Sequence, residues 1–245
     1  MSADADAANG VDDTTPIATG ALLPGLAPDP DRALVLLLPL TLISLAQMVL
    51  GQEEYLVSVG SSSVPVARNT FTVEPVAARL KEAIAYEDGE ELSYGQPFHL
   101  KCNDALGKGD IYLASAQHTP HRGSRITNHQ AVFMSSVCDN NAVWIIHHVS
   151  DMGIKTGATR LLSLGEAVPS NTPVVMLHRA TGQSLYCDDS VSESTEFGLE
   201  YEVCANSSKA PNKCESLVAE AKGTMTASTN VRAELAANQW MVAMA

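Results

Sequence analysis

The sequence predicts an all-β protein, and three observations support this. Short segments with alternating apolar residues recur along the chain, and Gly, Pro, Asn and Asp separate them, as expected for strands joined by turns. Helical periodicity is scarce, and only Glu74–Glu82 and Cys214–Lys222 fit short helices in connections. A pattern of strands also repeats. The clearest predicted strands are residues 55–59, 98–100, 111–113, 131–134, 143–146, 174–177, 184–187 and 201–204.

The repeat places an Asn shortly before a large aromatic residue that starts a strand. The three pairs are Asn69 with Phe71, Asn141 with Trp144, and Asn238 with Trp240. Before the second and third pairs, the chain twice shows a turn with Pro, an apolar strand, a Gly-containing loop, and a strand with Tyr beside Leu. The two matching sets of strands are 91–100, 110–115, 131–136 and 142–148, then 167–178, 183–188, 199–205 and 238–244.

A third set of strands, drawn from residues 17–60 and ending at Phe71, completes a β-trefoil-like barrel of three four-stranded lobes. Closure into a barrel removes the sheet edges that otherwise promote aggregation. We predict one domain over residues 17–245, with lobes at about 17–76, 90–150 and 160–245 and with Phe71, Trp144 and Trp240 as structural core aromatics. The unequal spacing of these three aromatics leaves chance recurrence as the alternative.

The run Ala33–Gly51, ALVLLLPLTLISLAQMVLG, is long enough to cross a membrane. Pro39, regularly spaced polar residues and acidic flanks without a Lys/Arg cluster argue against a span, and its distance from the start argues against a secretory signal. We expect Ala33–Leu38 to be a first-lobe strand that Pro39 ends, and Leu40–Leu50 to supply further core or a short helix. Residues 1–16 read as an irregular acidic tail.

The acidic composition argues against two classes of partner. The net charge of −13 makes nucleic acid and anionic membrane surfaces unfavourable partners, because both select Lys and Arg. Five cysteines, an odd number without a C-x-x-C pair, favour reduced thiols in an intracellular compartment.

The chain also lacks a recognisable catalytic motif, since it contains no phosphate-binding GxxxxGK[ST], no GxSxG and no HExxH. His118, His121, Cys138 and the pair His147-His148 invite a metal hypothesis, but adjacent residues on a strand point to opposite faces. A nucleophilic Cys102 or Cys138 would need a lowered pKa, and buried thiols are the simpler interpretation. We therefore predict no catalytic residues, no cofactor and no metal.

One loop stands out against the acidic background. The segment His118–Arg125, HTPHRGSR, contains two His and two Arg without an acidic residue, between the second and third strands of lobe two. Such a loop can meet an acidic partner surface, because local contacts outweigh a net charge that is screened beyond about 8–10 Å. Its candidate contact residues are His118, His121, Arg122 and Arg125. A solvated loop without a partner is the alternative.

Four segments, taken in order, resemble the cilia- and flagella-associated protein 161 family. They are VARNTFTV at 66–73, ELSYGQPFHL…DIYLAS at 91–115, AVPSNTPVVMLHRATGQSLY at 167–186 and NQWMV at 238–242. The resemblance runs from about residue 64 to the C-terminus, and residues 1–63 match weakly.

This resemblance implies a non-catalytic microtubule inner protein on the luminal wall of the A-tubule of axonemal doublet microtubules. Its implied partners are α- and β-tubulin and other microtubule inner proteins, and the loop at 118–125 is the implied tubulin contact. Two alternatives stay open. One is a carbohydrate- or protein-binding β-trefoil module outside the axoneme, but sugar-binding trefoils usually repeat Gln-x-Trp, whereas Gln239 directly precedes Trp240 here. An enzyme would need the Cys and His residues to converge in one pocket.

Overall fold

The computed structural model confirms an all-β fold with thirteen strands among the residues it describes. It describes residues 34–37, 40–49, 52–60, 66–76, 91–107, 109–149, 160–208, 217–218, 220–224 and 234–244. All of them belong to the unit Ala33–Ala245. The strands are β1 Leu34–Leu37, β2 Leu40–Val49, β3 Gln52–Val59, β4 Thr70–Pro75, β5 Pro97–Cys102, β6 Tyr112–Ser115, β7 Gln130–Ser135, β8 Trp144–His148, β9 Pro173–His178, β10 Leu185–Thr195, β11 Gly198–Ala205, β12 Trp240–Met241 and β13 Ala243–Met244.

The first and last strands of each lobe close into a ring. β1 pairs with β4, β5 with β8, and β9 with β12, so each lobe closes on itself. β4 also pairs with β5, β8 with β9, and β13 with β1, so that each lobe joins the next. All of these pairings are antiparallel, and the ring closes through the consecutive strands β12 and β13, which pair with β9 and β1.

The two middle strands of each lobe form a hairpin that covers one end of the ring. These hairpins are β2 with β3, β6 with β7, and β10 with β11. Their second strands also contact one another, since β3 pairs with β7, β7 with β11, and β11 with β3. A ring with three mutually paired hairpins is the β-trefoil that the sequence repeat predicts. We call the mutually paired β3, β7 and β11 the hairpin cap.

The aromatic residue of each repeat occupies the same place in its lobe. Leu36 lies opposite Phe71, Phe98 opposite Trp144, and Val174 opposite Trp240, so each aromatic faces the first strand of its own lobe. All three aromatics are buried in the hydrophobic core.

The two tryptophans also make equivalent hydrogen bonds. The indole N–H of Trp144 donates to the carbonyl of Leu113 at 2.8 Å, and that of Trp240 donates to the carbonyl of Leu185 at 3.0 Å. Because a buried indole N–H needs a partner, the Leu of the Tyr-Leu pair fixes the tryptophan orientation through its backbone.

The apolar run of the first lobe is extended. β1 ends at Leu37, before Pro39, as expected, whereas Leu40–Val49 is a strand paired with β3, so the prediction of a short helix there is wrong. Residues 40 and 59 lie opposite each other, which makes the run part of the first-lobe hairpin. Among the described ranges, no helix is both long and apolar enough to cross a membrane.

The predicted helices have mixed outcomes. Glu74 and Pro75 belong to β4, so a helix cannot begin at Glu74, and residues 77–82 lie outside the described part of the chain. In the second segment, residues 217–218 and 220–221 are helical. The predicted acidic tail, residues 1–16, lies outside the described residues.

Candidate functional site

The basic loop connects β6 to β7 and lies beside the hairpin cap. Its first part is a tight turn, in which the backbone N–H groups of Thr119 and Arg122 each donate to the carbonyl of the other, at 3.1 and 3.0 Å. Pro120 occupies the second position of this turn, where its fixed φ is compatible with the bend. Ser124 closes a second bend, because its backbone N–H donates to the carbonyl of His129 at 2.7 Å.

The two arginines of the loop form ion pairs with the other two lobes. Arg122 donates to the carboxylate of Glu54 on β3, and its guanidinium lies 4.7 Å from the ring centre of Phe133 on β7. Arg125 pairs with Glu193 on β10 at 2.7 Å. The sequence did not indicate these partners, because each carboxylate is distant along the chain.

The same loop is tied to β11 through Glu202. This carboxylate accepts hydrogen bonds from the backbone N–H of Ile126 at 2.6 Å, the backbone N–H of Thr127 at 3.1 Å and the Thr127 hydroxyl at 2.7 Å. The loop of lobe two is therefore fixed to carboxylates of lobes one and three. The sequence carried one signal for this arrangement, namely Glu residues within the strands of an acidic chain.

Of the four predicted contact residues, three remain largely accessible. His118 and His121 are exposed, and Arg125 is 51% exposed in its side chain, whereas Arg122 is only 27% exposed beneath its ion pair. All four residues lie in one loop, but Arg122 is packed against the protein whereas the other three are exposed to solvent. Their role as a tubulin contact remains a prediction.

A cavity of about 180 Å³ lies between the basic loop and the hairpin cap. We call it the cap cavity. It is bounded by all three cap strands β3, β7 and β11, by loop residues 121–125, and by two residues of β10. Both apolar and charged side chains line it, including Phe133 and Glu200.

Two carboxylates of the cap cavity are largely shielded from solvent. Burial raises the pKa of Glu54 above its ordinary value, and this effect exceeds the opposing influence of Arg122. Glu200 is 2% exposed and accepts hydrogen bonds from the hydroxyls of Ser58 at 2.8 Å and Thr195 at 3.0 Å. Arg68 lies 3.6 Å from its second oxygen. These contacts join polar groups of lobes one and three, and they fix the positions of both carboxylates in the lining of the cavity.

The remaining histidines serve packing rather than a shared site. His178 is buried, and its ring nitrogens contact the Asn141 carbonyl at 2.9 Å and the Thr181 hydroxyl at 2.8 Å. Burial and the nearby Arg160 lower the pKa of His147 to about 4. Within the described ranges, no three His, Cys, Asp or Glu side chains are grouped so that they could hold a metal ion.

The buried thiols are poor nucleophiles. Burial raises the pKa values of Cys102, Cys187 and Cys204 to about 12, so these groups stay protonated at neutral pH. The sulfur of Cys204 lies 3.6 Å from Nδ1 of His129, but burial and the nearby Glu202 disfavour its thiolate. Cys138 is exposed.

The exposure of Cys138, compared with the shielding of the other described thiols, predicts a selective reaction with a thiol reagent. In a Cys214→Ser variant, we expect one thiol, Cys138, to react rapidly with Ellman's reagent in the native protein, and the other three to react only after urea unfolding. The reason is that the other three thiols are shielded from the reagent, whereas Cys138 is exposed. A Cys138→Ser, Cys214→Ser variant is the control and should lose the rapid phase, whereas a second rapid thiol would contradict the assignment.

Comparison with known proteins identifies the family. The sequence model of the cilia- and flagella-associated protein 161-like domain matches residues 28–216. The chain belongs to this family. The match begins upstream of residue 64, where the resemblance of the sequence segments becomes recognisable, so it includes β1 to β3 of the first lobe. Membership associates the protein with cilia and flagella.

One curated relative is the Bos taurus cilia- and flagella-associated protein 161, which is 30% identical over 149 residues. The aligned region covers 61% of this chain and 42% of the bovine protein, so the chain spans less than half of that relative.

Solved structures support the fold alone. An SDF2-like protein from Arabidopsis thaliana matches with a TM-score of 0.51 at 15% identity, over 86% of this chain and 91% of that one. A Caenorhabditis elegans protein of unknown function matches with a TM-score of 0.52 at 15% identity, over 86% and 94% of the two chains. These neighbours are of the β-trefoil type, in agreement with the ring and the hairpin cap.

Proposed function

We propose that this protein is a structural microtubule inner protein, bound to the luminal wall of the A-tubule in axonemal doublet microtubules. There it contacts α- and β-tubulin and other inner proteins, and it stabilises the lattice for ciliary motility. The observation that supports this most strongly is the family match over residues 28–216. Fold alone does not decide function, so the location in the lumen rests on the family and requires a direct test.

The side chains of the core support a non-catalytic role in this proposal. The thiol that lies near a possible base, Cys204, has a raised pKa, and burial removes His178 from substrate access. A protein that acts through its surface needs a rigid scaffold, and the three interlocked lobes supply one. The accessible residues His118, His121 and Arg125 are the proposed tubulin contact.

A carbohydrate-binding trefoil is the alternative, and the tryptophans count against it. Sugar-binding sites commonly present an exposed aromatic face, whereas Trp144 is 0% exposed and Trp240 is 5% exposed. Both indole N–H groups are already bonded to backbone carbonyls. These residues therefore serve the core of the trefoil.

Fractionation of axonemes tests the proposal. We expect the tagged full-length protein to stay with doublet microtubules after detergent and high-salt extraction, because a luminal protein is enclosed by the tubule wall. Release into the membrane and matrix fraction would refute the proposal. Reconstruction of the doublet by electron microscopy, with and without the protein, should show its density inside the A-tubule.

The contact residues are tested by reversing the charge of Arg125. Because the exposed pair between Arg125 and Glu193 contributes at most about 1 kcal/mol, Arg125→Glu should fold normally and lower doublet occupancy about tenfold if the loop binds tubulin. Lys222→Glu, a reversal at an exposed residue elsewhere, is the matched control. Unchanged occupancy of the Arg125 variant would remove Arg125 from the tubulin contact. Arg122→Glu is unsuitable here, since it also breaks the contact with Glu54.

A further inference from the structure

The cap cavity has the size of one side chain. Its volume of about 180 Å³ exceeds the roughly 150 Å³ of an engineered protein cavity that binds benzene. The exposed residues of its lining, His121 and Arg125, mark the side that is open to solvent. A group that enters between them reaches the cap strands, where the two halves of the lining differ in chemistry.

One half of the lining is apolar. Leu56 on β3 lies opposite Phe133 on β7, and Ala131 lies two residues before Phe133 on the same face of the sheet. Side chains of this kind pack well against the methylene groups of a long side chain. The apolar wall therefore suits the stem of a Lys or Arg residue.

The other half carries an excess of negative charge. The carboxylates in the lining are Glu54, Glu193, Glu200 and Glu202. Three of them have a guanidinium within ion-pair distance, namely Arg122, Arg125 and Arg68 respectively. Among the described residues, no Lys, Arg or His forms an ion pair with Glu202, whose contacts are the N–H and hydroxyl groups of the loop. A carboxylate has lone pairs for further donors, so Glu202 can accept another.

We propose that the cap cavity binds a basic side chain, Lys or Arg, of a partner protein. A cation in the cavity balances Glu202, the one lining carboxylate without an ion pair among the described residues, whereas an anion would add to this surplus negative charge. The apolar wall receives the stem of the side chain, and Glu202 accepts from its charged end. This inference concerns the cavity beneath the basic loop and does not depend on the proposed location in the axoneme.

Titration of the full-length protein with capped tripeptides tests this assignment by nuclear magnetic resonance. The three probes are Gly-Arg-Gly, Gly-citrulline-Gly, which has nearly the same shape without the charge, and Gly-Glu-Gly. We expect Gly-Arg-Gly to shift the backbone amides of Leu56, Ala131 and Thr127, and to bind about tenfold more tightly than the citrulline peptide. Equal binding of the two, or tighter binding of Gly-Glu-Gly, would overturn the proposal.

Two variants locate the binding. Glu202→Gln should weaken Gly-Arg-Gly binding about tenfold and abolish its advantage over the citrulline peptide. Glu220→Gln, at an exposed acidic residue outside the lining, is the matched control and should change nothing. Because Glu202 also anchors the loop, Ala131→Leu provides a second test that fills the cavity without altering charge. Undiminished binding to Ala131→Leu would place the basic peptide elsewhere and refute the assignment.

Discussion

Replacing Trp144 by Ala is expected to lower the free energy of unfolding by about 3–5 kcal/mol, a large part of the roughly 5–15 kcal/mol that stabilises an ordinary domain. Trp144 is fully buried, and its removal leaves a cavity at the junction of β5, β8 and β9. It also deprives the Leu113 carbonyl of its donor. Urea unfolding followed by circular dichroism measures the loss.

A matched series separates packing from hydrogen bonding at this position. Trp144→Phe retains an aromatic ring but removes the donor to Leu113, and we expect it to cost about 1–3 kcal/mol. Leu161→Ala, a truncation at a side chain that is 70% exposed, should change stability by at most about 0.5 kcal/mol. A loss below about 1 kcal/mol for Trp144→Ala would contradict the role of Trp144 in the core.

Replacing Arg122 by Ala is expected to cost about 1–3 kcal/mol at neutral pH, because it leaves the half-buried carboxylate of Glu54 without its ion-pair partner. The loss should be smaller at about pH 5. Burial already raises the pKa of Glu54 in the folded protein, and Arg122 opposes that increase. Without Arg122 the pKa rises further, so the folded state takes up a proton more readily than the unfolded state does.

The pH dependence of the stability of Arg122→Ala follows from the difference between the folded-state and unfolded-state pKa of Glu54. A carboxyl group with a raised folded-state pKa contributes stability below its unfolded pKa, and this contribution is lost as pH rises through the folded-state pKa. The free energy of unfolding of Arg122→Ala should therefore fall, relative to wild type, between about pH 5 and pH 7. Urea unfolding at both pH values measures it.

Two further variants control the Arg122 experiment. Adding Glu54→Gln to Arg122→Ala should remove the extra loss at neutral pH, because the amide does not titrate. Arg125→Ala breaks a more exposed ion pair in the same loop and should cost at most about 1 kcal/mol. A pH-independent loss in Arg122→Ala would show that Glu54 is not the group responsible.

The arrangement of the basic loop gives it a structural task beside any contact with a partner. It is fixed to β3 by Glu54, to β10 by Glu193 and to β11 by Glu202, so it joins the hairpins of all three lobes. Both arginines take part in this network, but Arg122 is largely shielded, while His118, His121 and Arg125 are exposed. A partner that binds the loop therefore contacts a rigid surface, and it loses little conformational freedom of the loop on binding.

Much of the fold could be predicted from local patterns in the sequence. Alternation with period two identifies the strands, and the Asn-aromatic repeat identifies equivalent lobes, because each lobe needs a large aromatic at the same place in the ring. The first lobe was harder to predict. The run Leu40–Val49 has a polar residue at every third position rather than at every second, so only its pairing with β3 distinguishes strand from helix.

The sequence by itself determined the all-β trefoil, the position of the basic loop and the core aromatics, since these depend on residue type and spacing along short segments. Only the tertiary structure decided which loop charges are available. Arg122 meets Glu54 across 68 residues, and Ile126 meets Glu202 across 76. Ion pairs and hydrogen bonds depend on distance in space. Closure of the barrel sets that distance, and the spacing of residues along the sequence does not. For the same reason, the cap cavity appears only once strands from all three lobes have come together.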